Sequence, residues 1–421
     1  MITEDEFARQ AEEFLSSEAP LKAEEKRFVW GRGPDNAALF DERSRTEEVE
    51  RVELAKKWRQ TKFDAGFGWI SGPPELGGRG LPARYERVYA QMESRHQLPD
   101  QGCFGIGLGM VAPTILAHAS DEVKADLLPK MWRGEIVGCQ LFSEPGAGSD
   151  LASLQLRAER DGDEWLLNGQ KVWTSGAHYS DVGEIIARTD PELPKHRGLT
   201  GFMIDMRAPG VDIRPLRQMT GTANFNEVYF TDFRVPDTHR LGDVNQGWQV
   251  ALTTLMNERA SIGTGSAGGT GGGAMNLTRL TEMCRHYGVL EQPQVRQQLA
   301  HLYSGLKTHT WTGQRAMDKV KAGQAPGPEM SLSKMSLTNN MKLTAQLLGE
   351  VLGPRLVVDT GEWGTFSNSA FVLGLPGMRI AGGSDEIMRN IVGERVLGMP
   401  KEPGIDTTSP FRELRVGTQR A

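Results

Sequence analysis

The stretch EWLLNGQKVWTS (Glu164–Ser175) decides how this chain is to be read. Short apolar runs flank Asn168-Gly169, a dipeptide suited to a type I′ turn because both central residues need positive φ. GEIIARTD (183–190), LTGFMIDM (199–206) and NEVYFTDFRVP (226–236) are further runs of strand composition, with Pro209-Gly210 and Pro236-Asp237 as punctuation. Residues 136–243 are therefore expected to form a β-domain built from hairpins rather than βαβ units.

On either side the period changes. TEEVERVELAKKWRQTKFDAGF (46–67) carries Val49, Val52, Ala55 and Trp58 at helical spacing. SDEVKADLLPKMWRGE (120–135) offers Ser120 as an N-cap with acids in the first turn. SGPPELGGRG (71–80) is a turn cluster. Helical patterning returns in GWQVALTTLMNERASI (247–262), QVRQQLAHLYSGLKTHTWTGQRAMDKV (294–320) and MSLTNNMKLTAQLLGEVLG (335–353). The order is helices over 1–135, sheet over 136–243, helices over 244–400, and a loose tail over 401–421. No internal repeat is present.

With 421 residues the chain is too long for one core. Its net charge of -6 argues against a general nucleic-acid binder, which needs a basic surface. Cys103, Cys139 and Cys284 are scattered, with no CxxC pair, so neither a zinc cluster nor a disulfide framework is expected. No apolar run approaches the ~20 residues that span a bilayer, and MITEDEFARQAEEFLSSEAP (1–20) lacks the pattern of a secretory signal. A cytoplasmic protein without metal is the expectation.

Two motifs carry chemistry. In QLFSEPGAGSD (140–150), Gly146 and Gly148 let the backbone approach a ligand, and Ser143 and Ser149 add hydroxyls. In KVWTSGA (171–177), the flat ring of Trp173 beside two hydroxyl residues suits a planar heteroaromatic ligand. Alone, the first is a common loop and the second an ordinary core tryptophan.

Taken in order with RVPDTHRLGDVNQGW (234–248) and GGSDEIMRNIVGERVLGMP (382–400), these motifs resemble the acyl-CoA dehydrogenase family over nearly the whole chain up to Pro400. The resemblance implies an α+β multi-domain fold: an N-terminal helical domain, a middle β-barrel and a C-terminal four-helix bundle. It implies FAD, an acyl-CoA substrate, an electron-transfer flavoprotein as electron acceptor, and a homotetramer or homodimer. Position by position, Gln140, Phe142 and Ser143 match residues along the flavin ring, while Gly148 and Ser149 face the pyrophosphate or the CoA. Trp173 flanks the flavin, and Thr174 and Ser175 bond near its reactive edge. Ser384 and Glu386 match flavin contacts. Gly353, in EVLGP (350–354), matches a residue reaching the adenosine half of a partner subunit's FAD. Many relatives carry an Arg three residues before an aromatic-Gly pair; here the pair is Tyr287-Gly288 and the position is Cys284.

The family reaction removes an α-proton from a thioester, which requires a carboxylate base of raised basicity and a polarised carbonyl. Many relatives place that Glu where this chain has Gly382. A minority place it on an earlier helix before an Arg, and NERAS here supplies Glu258-Arg259. Helical spacing puts Glu258 on one stripe with Ala251, Leu255 and Ile262. Glu258 is the expected base, with Arg259 and the backbone N–H of Gly382 on the substrate side. The glycine run GTGSAGGTGGG (263–273) is read either as widening an acyl pocket or as a plain helix break. An O₂-using relative and a non-catalytic subunit of a hetero-oligomer are the competing readings.

Overall fold

The computed structural model describes residues 2–23, 28–39, 43–263, 273–321, 327, 330–401 and 406–415. Most of the glycine run, 264–272, lies outside them, as does the Ile262 side chain.

The N-terminal region is helical: α1 (Glu4–Glu18), α2 (Arg45–Asp64), α3 (Arg84–Glu93), α4 (Ala112–His118) and α5 (Asp121–Arg133). Caps are written into the sequence. Ser44 and Glu47 form a capping box at α2, and Ser120 accepts from the Val123 N–H at α5, which ends at Gly134 with φ +83°. Val52, Ala55 and Trp58 are buried as their spacing predicts, but Val49 is 59% exposed, because the covered stripe runs back from Lys62, Arg59, Ala55 and Val52 to Glu48, one residue to the side of Val49.

Eight strands follow: β1 (Gly138–Leu141), β2 (Arg157–Asp161), β3 (Glu164–Ser175), β4 (Val182–Arg188), β5 (Leu199–Asp205), β6 (Val211–Leu216), β7 (Phe225–Pro236) and β8 (Arg240–Leu241). They make one sheet in the order β6-β7-β3-β2-β4-β5-β8, with β1 added in parallel on β4. The Asn168-Gly169 turn is a misreading. β3 runs straight through it, paired with β7, and the hairpin turn lies at Gly162-Asp163, where Gly162 takes φ +64°. Asn168-Gly169 instead makes a bulge: the register shifts between Leu167 and Gly169, and the Asn168 side chain bonds the Asp232 N–H at 2.9 Å. Gly169 takes φ +146° in the bulge, and a turn would also place it at positive φ, so the dipeptide alone did not separate them. Nor are hairpins the whole pattern, since β4 pairs in parallel with both β1 and β2.

The chain returns to helix in α6 (Gly247–Gly263), α7 (Leu277–His286), α8 (Pro293–Lys321), α9 (Met330–Leu352), α10 (Ser369–Ile380) and α11 (Asp385–Ile391). One core joins the regions. Ile115 and Leu128 from the first, Phe142 and Ile186 from the sheet, and Val250 and Ala251 of α6 pack in a single buried cluster. This seats α6 against the sheet and fixes the direction of its later turns.

The tail is not loose over 406–415. Phe411 is buried, its N–H bonds Leu193 O at 2.9 Å, the Arg188 guanidinium lies 3.8 Å from its ring centre, and Arg412 pairs with Glu192 at 2.9 Å. One aromatic residue in a polar stretch is enough to dock it. No helix among the described residues is long and apolar enough to cross a membrane.

Candidate active site

The loop after β1 is held by a buried charge. Glu144 accepts from the N–H groups of Gln155 (2.6 Å) and Leu156 (2.9 Å) and from Lys171 Nζ (2.8 Å). Lys171 is wholly buried and also donates to Phe142 O at 3.0 Å. Burial pushes the Lys171 ammonium below its ordinary pKa, and Glu144 opposes that. With these bonds made, Glu144 and Ala147 close a tight turn through paired backbone bonds of 3.0 and 3.1 Å. Gly148 and Ser149 then face outward, and a Cβ at Gly148 would meet nothing within 4 Å.

Val172 N–H donates to Ser143 O at 2.9 Å, which sets the loop beside the second motif. There β3 bulges against β7, and Trp173 takes φ +61°. A bulky residue in that region costs on the order of 1–3 kcal/mol. Its side chain is 54% exposed, so it is not core. Thr174 is buried, and its Oγ1 has no partner among the described residues. Ser175 is half-buried. The bulge is braced from behind: Asn226 Nδ2 donates to Thr174 O at 3.0 Å and bonds His178 Nδ1 at 3.1 Å, and His178 Nε2 meets Glu48 of α2 at 2.7 Å.

Glu258 comes to this wall from α6. The residue is half-buried, with protein packed around its carboxyl. Burial raises its pKa; the charge of Arg259, a hydrogen bond from the Gln140 side chain and the charge of Lys334 oppose the rise. Gln140 and Glu258, far apart in sequence, therefore touch. Arg259 is half-buried, its Nε without a partner among the described residues.

The remaining sequence candidates divide. Gly382 (φ +67°) and Gly383 (φ +94°) form the bend between α10 and α11. Ser384 caps α11, accepting from the Ile387 N–H at 3.2 Å, so its hydroxyl is engaged locally. Glu386 points to solvent and pairs with Arg389 at 3.5 Å. Gly353, exposed with φ +51°, lies past the C-terminus of α9, roughly 28 Å along the axis from Lys334 at ~1.5 Å per residue. It does not join the cluster within one chain. Cys284 is core, its thiol pushed up to about 11 by burial, and Arg285 pairs on the surface with Glu282 at 2.5 Å.

Sequence reading missed several groups. A cavity of about 570 Å³ opens at the N-terminus of α6, lined by His196, Arg197, Asn245 and Trp248 among others. It lies next to Lys195, whose Nζ bonds both Asp150 oxygens at 2.7 and 2.9 Å. Trp248 is ten residues before Glu258, roughly 15 Å along the helix, so the cavity is a neighbour of the carboxyl rather than its surroundings. Glu184 on β4 is fully buried and is the register partner of Gln140. It meets Thr254 at 2.6 Å, and burial pushes its pKa up to about 8. A charged residue inside an otherwise apolar strand run was the available signal for it. Among the described residues no group of His, Cys, Asp or Glu could hold a metal ion.

Models of the acyl-CoA dehydrogenase N-terminal, middle and C-terminal domains match residues 3–135, 139–233 and 245–397. The chain is 36% identical to the acyl-CoA dehydrogenase IpdE1 of Mycobacterium tuberculosis over 362 residues, 84% of this chain and 90% of that one. It belongs to the acyl-CoA dehydrogenase family. The acyl-CoA dehydrogenase FadE34 of the same organism is 40% identical over 291 residues, 69% of this chain and 39% of that one. A solved structure described as a Tcur3481-Tcur3483 steroid ACAD aligns with a TM-score of 0.70 at 26% identity, covering 94% of this chain and 97% of that one.

Acyl-CoA dehydrogenases depend on FAD, and the residues present fit it. An exposed indole in strained backbone, a buried hydroxyl at Thr174 without a partner among the described residues, and the open backbone at Gly148 are each costly or idle without a ligand. The chain is thus an oxidoreductase of the acyl-CoA dehydrogenase family.

Proposed function

We propose that this enzyme dehydrogenates an acyl-CoA to a trans-2-enoyl-CoA with Glu258 as the base. The observation that supports it most is the contact of Glu258 with Gln140 beside the Ser143–Trp173 wall, with burial raising the carboxyl's basicity. FAD, when bound, supplies the acceptor for the β-hydride. Gln140, Phe142, Ser143, Trp173, Thr174 and Ser175 hold its ring, with Ser384 and Glu386 at its margin; Gly148 and Ser149 serve the pyrophosphate or the CoA. The Gly382 N–H donates to the thioester oxygen, making the α-proton acidic enough for Glu258 to take. Arg259 flanks the substrate.

The electrons pass to an electron-transfer flavoprotein in the cytoplasm. Gly353, remote from its own site, serves the FAD of a second copy in a homodimer or homotetramer. The likeness to the steroid ACAD favours a bulky, ring-bearing acyl group as substrate. The test is anaerobic bleaching of the flavin by a panel of CoA thioesters. Ring-bearing or branched thioesters bleach it fastest; bleaching by short straight chains alone contradicts the substrate class, and bleaching by none contradicts the reaction.

A further inference from the structure

The bend Ala381–Ser384 carries two glycines at positive φ and would be loose if left to itself. It is not left to itself. Arg379 Nε, before the bend, donates to Asp385 Oδ2, after it, at 2.8 Å. Lys334 and Thr338 stand one turn apart on α9, so they share a face. Thr338 Oγ1 donates to Asp385 Oδ1 at 2.9 Å, and Lys334 Nζ donates to the same oxygen at 3.1 Å and to Arg379 O at 3.0 Å. Both ends of the bend are thereby tied to one ammonium. The Arg379 carbonyl, an orphan of the last turn of α10, finds its donor in Lys334. Asp385 and Lys334 are both buried, and only Arg379 reaches solvent. A methyl at Gly383 would lie 2.4 Å from Met388 Cε, so the bend is also packed from within.

We propose that Asp385 is a positioning residue of the reaction: through Lys334, Thr338 and Arg379 it fixes the Gly382 N–H in register with the base on α6. The inference rests on the assignment of Gly382 and Glu258 made above. Lys334 connects the two sides, because the cation that closes the bend also acts on Glu258. A preorganised donor is worth more than one that must be ordered at the moment of reaction. Asp385 itself touches neither substrate nor cofactor in this scheme. Breaking the clamp leaves the pocket and its apolar contacts in place and misplaces one N–H.

The test uses the FAD-loaded enzyme and a CoA thioester that bleaches it. Three readouts are taken: kcat and KM separately, and exchange of the α-hydrogen into D₂O by mass spectrometry. For Asp385→Asn the expected result is retained FAD, KM within about threefold, and kcat and exchange both lowered 10- to 100-fold, the range of a weakened transition-state donor. That substitution strands a buried ammonium, so Arg379→Gln and Thr338→Val are measured alongside; each cuts one bond without leaving a buried charge, and each should lower kcat and exchange 3- to 10-fold at unchanged KM. Unchanged kcat and exchange in the two mild variants overturn the proposal whether or not Asp385→Asn folds. So does a KM rise with unchanged kcat. Glu258→Gln, run in parallel, separates the two levels: if it exchanges like the parent, the base assignment fails, and if it alone abolishes exchange, the base stands and the clamp falls.

Discussion

Glu184→Gln isolates the cost of a buried acid. Glu184 sits on β4 with no solvent contact; its Oε1 meets the Thr254 hydroxyl at 2.6 Å and its Oε2 has no partner among the described residues. Thr254 in turn meets Thr114 Oγ1 at 2.9 Å, so the acid ends a chain of hydroxyls between α6 and α4. Burial raises its pKa from the ordinary 4.5 to about 8. The sign follows from linkage. Below about pH 4.5 the carboxyl is protonated folded and unfolded and contributes nothing. As pH rises the unfolded chain releases the proton while the fold keeps it, so the fold loses stability up to about pH 8, after which the loss is complete. The two values differ by roughly 3.5, and at about 1.4 kcal/mol per pH unit the loss is on the order of 5 kcal/mol. Glutamine keeps the shape and the bond from Thr254 and does not titrate. At about 2 cal/mol/K per residue, the unfolding entropy of a chain this long is roughly 0.9 kcal/mol/K. Glu184→Gln should therefore melt near the parent at pH 5 and about 5 °C above it at pH 8.5, read by calorimetry of the FAD-loaded protein. A pH-independent difference, or a variant less stable at pH 8.5, refutes the reasoning.

Five further outcomes are expected. The kcat of the parent should fall as pH drops, with a midpoint above the ordinary carboxylate value of 4.5, because Glu258 must be ionised and burial raises its pKa; a stopped-flow pH series that stays flat to pH 4.5 contradicts this. Lys171→Met strands Glu144 and should cost about 3 kcal/mol, the lower end for breaking a buried pair, seen as a lower melting temperature and easier loss of FAD. Thr174→Val removes a hydroxyl that no group among the described residues uses, so it should leave the FAD-free protein's melting temperature within about 1 °C and weaken FAD binding about tenfold in a titration of the FAD-free protein. Arg412→Ala should cost less than about 1 kcal/mol, since its pair with Glu192 is exposed, whereas Phe411→Ala should detach residues 406–415, read as loss of amide protection there.

What was legible in the sequence was local. The switch from 3.6-residue to alternating spacing marked where helices yield to strands, Ser120 announced α5, and the Gly-rich loop with the tryptophan strand led to the family. Asn168-Gly169 misled because Gly169 takes positive φ in the bulge, as a turn glycine would. The Glu144–Lys171 bond, the Asp385 clamp and the docking of Phe411 were out of reach because each joins residues 27, 51 or more than 200 positions apart through a fold that spacing does not specify. The candidate site divides the same way. Glu258 was nominated by the family resemblance, with helical spacing in support, while its contact with Gln140 depends on how α6 crosses the sheet. Glu386 and Ser384 matched by motif, and in this chain one faces solvent and the other caps a helix.

The central claim is that the carboxylate absent at Gly382 is supplied by Glu258. The direct measurement is the anaerobic bleaching rate of FAD-loaded Glu258→Gln with a thioester that bleaches the parent. The account predicts retained FAD and a rate at least 10³-fold lower, in the range for loss of a general base. Bleaching within tenfold of the parent would place the base elsewhere.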